Sequence, residues 1–519
     1  MKTKILYFAA VLILILSLIK IDYRFNEIPY GLEVDDAEYY YTAATIGIDY
    51  DLDFSNQMIG IENRYLNSEV KKIVPFHPIG AGLLASPFVF FGNLFSSTTK
   101  ITNLIGPSYF SYSIAPIFYL FMTIKLVQMS LRNLDVEYKN NLLLLMIFGT
   151  GVSYYAFDRF SMSHIYEMFG TAALIYMTSI TTTKNNNSKN NKIYFSIGVL
   201  IFLFLTIRWI NYFLFLVPAL VFYIKDKSVI KFYLNPYYLF GSVVGLAGFL
   251  IHTKYLYGIY TLNQTNVVLY VENSFQENYL RFFDISMFYE NILFVIKSSQ
   301  IILFSQEFGL FYFAPILFVS AVLVFMLLSN KKIKLSILLF LSYIFPLFSI
   351  IVIQNTAFSY GYRYLYALIP INLIVYFKYF NKNAILKNYL ILFSYIGFVL
   401  YLFFETTQAT SLSSEYVINS FGMNTRYANP LYLSGLVDSL TNFEAYLHIL
   451  FTSFLGVGII KLVSLFVDPI VFLGNYTTLN SEILELVDNS ISFSWTKLFI
   501  LYTVVFLLIS LVLKNKAHK

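Results

Sequence analysis

The chain contains no cysteine, which excludes disulfides, thiol catalysis and thiolate metal sites. Histidine is scarce as well. The five present (His77, His164, His252, His448 and His518) show no H-x-x-x-H or related ligand spacing, so a histidine metal site is not expected. Charge is the third shortage: only 12% of residues are Asp, Glu, Lys or Arg, about half the share in a typical soluble domain. No glycine-rich phosphate loop occurs, which argues against ATP-driven chemistry. The net charge of +6 comes largely from lysines and arginines in short loops, where they set topology and give no reason to expect nucleic acid as a partner.

What the chain does have is hydrophobicity: 58% of its 519 residues are apolar, with mean hydropathy +0.66. The apolar residues come in blocks of roughly 17–24, the length that crosses a hydrocarbon layer of about 30 Å at 1.5 Å per residue. The 45 Tyr and 54 Phe fit aromatic girdles at membrane interfaces. Lys2 and Lys4 precede an apolar run from Ile5 to Ile19 that lacks a small-x-small cleavage site, and so reads as an uncleaved anchor helix.

The lysines set the expected topology. The positive loops are Lys184–Lys192, Lys225–Lys231, Lys331–Lys334, Lys378–Lys387 and the tail Lys514–Lys519. All are placed in the cytoplasm, as are both termini. Crossings are expected near 5–21, 106–129, 142–157, 162–181, 193–208, 212–225, 237–256, 309–329, 335–354, 363–379, 388–405 and 495–513. The fold class is therefore an all-α polytopic membrane protein of about 12 transmembrane helices, range 11–14, with large outward-facing loops carrying juxtamembrane helices. Segments 79–95, 288–306 and 445–467 read as re-entrant or interfacial. A transmembrane module over 1–405 contains a first outer loop at 22–78. Residues 406–519 add an outward amphipathic region and a last crossing, with no separate soluble domain.

With short inner loops, chemistry falls to the outer loops and outer helix ends. Asp35 and Asp36 lie about a dozen residues beyond the first helix. A membrane-edge carboxylate is partly desolvated, which suits it to act as a base. If the segment is helical, Asp35 and Tyr39 share a face and Asp36 points elsewhere; a solvated charged loop is the simpler account on spacing alone. Asp158-Arg159-Phe160-Ser161-Met162-Ser163-His164-Ile165-Tyr166-Glu167 forms a tight outward turn in which Arg159, His164 and Glu167 are a dense polar cluster. A charge at the bilayer centre costs roughly 2.5–3.5 kcal/mol, so Glu167 calls for a partner or a function. The alternative for this turn is an Asp158–Arg159 cap. Arg208 follows an apolar run with no acid near it in sequence; snorkelling to headgroups is its bland reading. Tyr362 and Arg363, in Tyr360-Gly361-Tyr362-Arg363-Tyr364, begin another outer helix end. His77 can bind a phosphate or an acceptor, or be an interfacial histidine. The tract Lys184–Lys192 reads as a solvated linker, and Asn475-Tyr476-Thr477 fits a glycosylation sequon that is common by chance.

Asp35-Asp36 with Tyr39 three residues on, Ala43-Ala44, the D-x-D-x-x-N run Asp51–Asn56, and His77-Pro78-Ile79-Gly80-Ala81-Gly82-Leu83-Leu84-Ala85-Ser86-Pro87 together resemble the GT-C glycosyltransferases. The likeness is to members similar to protein mannosyltransferases and aminoarabinose transferases. It covers residues 30–90; beyond them it is one of layout. Asp-Asp stands where many members have Asp-Glu. The resemblance implies transfer of a sugar from a polyprenyl-phosphate or -diphosphate donor to a hydroxyl or amine acceptor on the outer face of the cell membrane. The acceptor would be a protein, a glycolipid or a glycan. The catalytic acid residue would fall on Asp35 or Asp36. Displacement at an anomeric carbon also needs cationic help for the departing phosphate, and arginine's planar fork suits it; Arg159, Arg208 and Arg363 are the candidates. No organic cofactor is expected. A divalent metal on Asp35, Asp36 and Asp51 or Asp53 is a minor possibility. A lipid-linked sugar flippase or other transporter predicts mid-membrane charges and symmetric halves, neither of which is evident. An O-antigen-type polymerase predicts key residues in later loops, and an inert assembly subunit leaves the polar clusters unexplained.

Overall fold

A computed structural model of the chain describes residues 35–58, 66–67, 70–95, 107–183, 187–262, 286, 288–304, 309–353 and 363–404. The expected crossings at 5–21 and 495–513, the segment 445–467, the sequon at Asn475 and the whole 406–519 region lie outside the described residues. Helix accounts for 79% of what is described.

In chain order, α1 is Asp35–Ala44, running on into a π-turn, Thr45–Asp49. Strands β1 (Leu66–Asn67) and β2 (Lys72–Ile73) pair antiparallel, Leu66 opposite Ile73; this two-residue hairpin is a small correction to an all-α reading. Then come α2 (Gly80–Asn93), α3 (Pro107–Asn133), α4 (Asn140–Phe148), a π-turn at Tyr154–Asp158, α5 (His164–Thr182) and α6 (Asn187–Leu205). A 3-10 segment, Trp209–Leu216, leads to α7 (Val217–Ile224), α8 (Val229–Tyr233) and α9 (Pro236–Tyr257). The remainder is α10 (Phe288–Phe304), α11 (Leu310–Phe313), α12 (Pro315–Ser329), α13 (Ile333–Ile353), a 3-10 turn at Arg363–Leu368, α14 (Ile369–Tyr379) and α15 (Ala384–Phe404).

Local chemistry explains several boundaries. The α9 helix opens on Asn235, whose side chain accepts from the amides of Tyr237 and Tyr238, with Pro236 at the first helical position. It closes on Gly258 in the left-handed region at φ 80. By contrast the expected crossing at 142–157 is not one helix. It breaks after α4 at Gly149, which lies so close to the backbone of Ser394 in α15 that a Cβ there would collide with it. The chain resumes at Tyr154 as a π-turn. The tract read as a solvated linker, 184–192, is helical from Asn187 onward, as the first turns of α6.

Among the described residues two helices, Pro107–Asn133 and Pro236–Tyr257, are long and apolar enough to cross a membrane. They differ in surroundings. The most apolar window of α3 is 78% buried within the protein, that of α9 only 22%. Leu239, Phe240, Val243, Val244 and Ile251 of α9 are exposed, as are Phe325, Ile337, Phe340 and Ile391 on α12, α13 and α15. Helix α9 packs along α6, where Gly198 and Gly241 let the two backbones touch.

The bundle has two chemically distinct ends. At one, Lys225 pairs with Asp135 at 2.5 Å, Asn133 donates to Ser179 at 2.9 Å, Asn381 to the Glu137 carbonyl at 3.3 Å, and Lys332 lies over Tyr379. Helix α5 runs from this end, at Thr182, to His164 at the other, roughly 27 Å away at 1.5 Å per residue.

Candidate functional site

At the His164 end, the packing of α2 against the chain after α6 sets the frame. The amide of Gly80 donates to the carbonyl of Thr206 at 2.8 Å. A Cβ on Gly80 would lie 2.5 Å from the Ile207 nitrogen. The glycine is therefore required by close approach, and it brings His77 and Pro78 beside Thr206-Ile207-Arg208. Gly82 does the same toward Thr42 and Ala43 of α1. The H-P-x-G motif thus joins three segments.

Arg208 sits in extended backbone, φ −161 and ψ 128, where α6 ends and the 3-10 segment begins. Its Nη1 lies 3.4 Å from Glu167 Oε1 and 3.2 Å from His164 Nδ1. Glu167 Oε1 also receives the Ser163 hydroxyl at 2.8 Å and lies 3.1 Å from His164 Nδ1. One nitrogen cannot both donate to Glu167 and accept from Arg208. A buried carboxylate holds the imidazole with Nδ1 protonated, and the guanidinium then bonds Glu167. Side chains of Glu167 and His164 are 1% exposed. Glu167 Oε2 is buried and has no hydrogen-bond partner among the described residues.

Arg363 opens the 3-10 turn at the head of α14 and is buried. Its guanidinium lies 5.2 Å from the ring of Tyr364, while that of Arg208 lies 4.2 Å from the same ring. Both cations lie against the Tyr364 ring, and Arg363 acts on Arg208 as like charge on like. Arg363 also donates to Tyr364 Oη at 3.4 Å and to Met162 Sδ at 3.7 Å. The rings of Tyr155 and Tyr364 pack edge-on to His164.

A second polar pair lies on α1. Glu38, 2% exposed, accepts from the His77 amide at 2.5 Å and from its ring Nδ1 at 3.0 Å. The Tyr39 ring is 5.1 Å from that of His77, and Tyr39 also acts electrostatically on Arg208. Tyr39 therefore links the two halves.

Of the residues selected from sequence, His164, Glu167, Arg208 and Arg363 come together, and His77 joins them through Tyr39. Asp35 and Asp36 begin α1, Asp35 one turn before Glu38, so the segment is helical where spacing alone favoured a solvated loop; their side-chain contacts, like those of Asp158, lie outside the described residues. Tyr362 lies outside the described residues too. Arg159 follows the π-turn, its amide bonded to the Tyr154 carbonyl. The described partners of Glu167 are Ser163, His164 and Arg208, so Arg208 joins the His164–Glu167 part of the expected cluster. Glu38 and Tyr364 were missed by the sequence reading. Their signal was present: Glu38 falls one turn after Asp35 on a helix, and Tyr364 is next to Arg363.

The D-x-D-x-x-N run is structural. Asp51 accepts from the Asp53 amide at 3.0 Å, and Asp53 from the Ser55 amide at 3.1 Å, two turns of the kind Asp favours. The Ser55 hydrogen bonds hold the Asp53 carboxyl below the usual range. Asp49 receives the amides of Asn56 and Gln57, yet burial pushes its carboxyl up, helped by Asp51 and Asp53. Among the described residues no group of three or more His, Asp or Glu is placed to hold a metal ion.

Comparison of the chain with protein-family models, curated proteins and solved structures gives no match. Function must therefore be argued from the site.

Proposed function

We propose that the chain is a GT-C-like membrane glycosyltransferase. It moves a sugar from a polyprenyl-phosphate or -diphosphate donor to an acceptor on the outer face of the cell membrane, by inverting displacement. The observation that carries this reading is the convergence of Arg208 and Arg363 on Tyr364, beside the buried His164–Glu167 pair and at the same end as α1. Glu167 pairs with Arg208, and two guanidinium groups around one ring suit the oxygens of a donor phosphate. The phosphate leaves with the bonding electron pair once the acceptor attacks the anomeric carbon. Asp35 or Asp36, at the start of α1, takes the acceptor's proton.

The lipid part of the donor has a place to go. A cavity of about 510 Å³ lies between α10, α12 and α13, lined by Ile302, Leu317, Val324, Phe340, Leu347 and Leu365. Leu365 is two residues from Arg363, so an apolar chain in the cavity has its phosphate near the guanidinium. The exposed apolar faces of α9, α12, α13 and α15 favour a bilayer around the bundle. About 12 crossings, both termini cytoplasmic and the arginine end outward follow from the same reading.

The test is transfer from radiolabelled polyprenyl-phosphate sugars in membranes holding the wild type, Asp35→Asn or Asp36→Asn. Loss in one variant, with donor binding kept, supports the reading and names the base; full activity in both removes the carboxylate mechanism. No transfer by the wild type from any donor favours the transporter or polymerase.

A further inference from the structure

The cavity beside Leu365 is a slot with a direction, and two hydrogen bonds set the register of its walls. Ser320 of α12 meets Tyr343 of α13, and Ser336 of α13 donates to the Val324 carbonyl of α12 at 2.8 Å. The two helices are therefore antiparallel, with Leu317 level with Leu347 at one end of the slot and Leu328 near Ser336 at the other. Lys332, between these helices, lies over Tyr379 at the far end of α14, so Leu365, at the head of α14, belongs to the Leu317 end. From Leu317 to Leu328 the slot runs roughly 16 Å at 1.5 Å per residue. Its floor is buried at Ile302, Leu317 and Leu365, while Phe325, Leu328, Ile337 and Phe340 line it and are exposed. The slot thus opens sideways through an apolar face. The hydroxyls of Ser320, Ser336 and Tyr343 are bonded within the protein: Ser320 to the Ile316 carbonyl and Tyr343, Ser336 to the Val324 carbonyl, Tyr343 also to Asn372 of α14. A guest lying along these walls receives apolar contact.

We propose that this slot measures the donor's lipid by its first three to four isoprene units, about as many as its length holds, and is indifferent to the rest, with Ala321 as the specificity-determining residue. This rests on the transferase reading and deepens it. The phosphate belongs with Arg363, two residues from Leu365, so the chain enters at the Leu317 end. An extended chain advances about 1.2 Å per bond, a third of the reach of one residue. Roughly 16 Å therefore takes about 13 bonds, and each isoprene unit contributes four main-chain carbons. The width of the slot also suits a branched chain. A volume of about 510 Å³ over that length leaves a section of about 30 Å². A straight chain in contact with its walls at about 4 Å occupies less, and a methyl on every fourth carbon fills the remainder. Units beyond the slot pass the exposed Leu328 into the bilayer, which is as apolar as the slot, so they add no affinity. Ala321 is exposed, lines the slot next to Ser320 and lies about one turn in from Leu317. A larger side chain there closes the slot after the first unit without displacing a buried group.

The experiment titrates the detergent-solubilised full chain with geranyl, farnesyl, geranylgeranyl and undecaprenyl phosphate. Dodecyl phosphate, which has the main-chain length of farnesyl phosphate without its methyls, is the fifth probe. Wild type, Ala321→Phe and Ala321→Ser are compared, and sugar transfer is measured alongside. The chain moves from one apolar setting to another, so the gain comes from contact and is about threefold per isoprene unit held. Wild-type affinity is expected to rise from geranyl to farnesyl, to rise less to geranylgeranyl, and to stay flat to undecaprenyl phosphate. Dodecyl phosphate is expected to bind more weakly than farnesyl phosphate. Ala321→Phe is expected to bind every prenyl phosphate as the wild type binds geranyl phosphate, with an unchanged thermal transition, and Ala321→Ser to follow the wild type. Affinity that keeps rising to undecaprenyl phosphate, equal binding of dodecyl and farnesyl phosphate, or an Ala321→Phe protein that loses nothing or loses geranyl phosphate equally overturns the proposal, and the transferase reading stands if transfer persists. If the chain-length pattern appears and the wild type transfers no sugar from any donor, the transferase reading falls and the slot stands. If the wild type binds none of the prenyl phosphates, both fall.

Discussion

Replacing Glu167 by Gln is the sharpest perturbation of the buried cluster. The substitution keeps shape and leaves an amide oxygen for the Ser163 hydroxyl and the His164 ring, but it removes the anion 3.4 Å from Arg208. Breaking one side of a buried ion pair costs about 3–5 kcal/mol because the surviving charge stays desolvated. Here that figure is an upper bound. The Arg208 side chain keeps 15% of its surface exposed and rests 4.2 Å from the Tyr364 ring, a contact worth about 0.5–2 kcal/mol. A loss of about 2–3 kcal/mol is expected for Glu167→Gln after those two corrections. Arg208→Met leaves Glu167 as the orphan, in a site where both its oxygens would then lack a cation, and is expected to cost at least as much. The double variant has neither orphan, so it is expected to fall within about 1 kcal/mol of the worse single variant, a coupling of about 2 kcal/mol. Reversible unfolding in mixed micelles, followed by circular dichroism, reads this out. Additive losses, or a Glu167→Gln protein within about 0.5 kcal/mol of wild type, would refute the burial argument itself.

Three further outcomes follow from the same geometry. Arg363→Lys keeps the charge and loses the planar fork, so the affinity for polyprenyl phosphate, measured by titration, is expected to drop about tenfold with little change in stability. Gly80→Ala puts a methyl 2.5 Å from the Ile207 nitrogen; it is expected to cost about 1–3 kcal/mol and to speed amide exchange across 205–210, since α2 must step back. Burial raises the Asp49 carboxyl above its ordinary range, so the fold favours its neutral form. Its contribution to the 45–58 loop is present below the usual carboxylate range and is lost as pH rises through the raised value, and protease protection of that loop is expected to fall over the same interval, a trend absent in Asp49→Asn.

The helices were legible where the chain carries its own punctuation. Asn235-Pro236 at one end of α9 and Gly258 at the other are local signals, and the structure follows them closely. The break after Phe148 was not legible. Gly149-Thr150-Gly151 can sit inside an apolar run without ending it. At the break the Ser394 backbone is pressed against Gly149, a partner that no window of neighbouring residues contains. Low polarity in 142–157 reports that the segment is buried and says nothing of whether it is straight. The tract 184–192 failed in the opposite sense. Its asparagines and lysines look like a solvated loop, yet from Asn187 they are the first turns of a helix whose apolar part is anchored against α9.

For the site, the useful signal was imbalance. Arg208 stands at the end of an apolar run with no acid in reach along the chain, and Glu167 lies in an apolar helix with no Lys or Arg on it. His164 stands one turn before Glu167, but a permanent cation has to come from elsewhere, and two such residues at ends of neighbouring helices are candidates for each other. The structure pairs them across 41 residues. Glu38 defeated the same logic because Asp35 and Asp36 precede it. Three acids in four positions look like a hydrated turn, and the crowd hides the one that helix geometry rotates inward. Helical periodicity separates Asp36 from Asp35 and Glu38, since positions i and i+3 share a face. That face is the one on which the buried Glu38 meets His77, so periodicity, and not the density of acids, is what sets Glu38 apart from its neighbour Asp36.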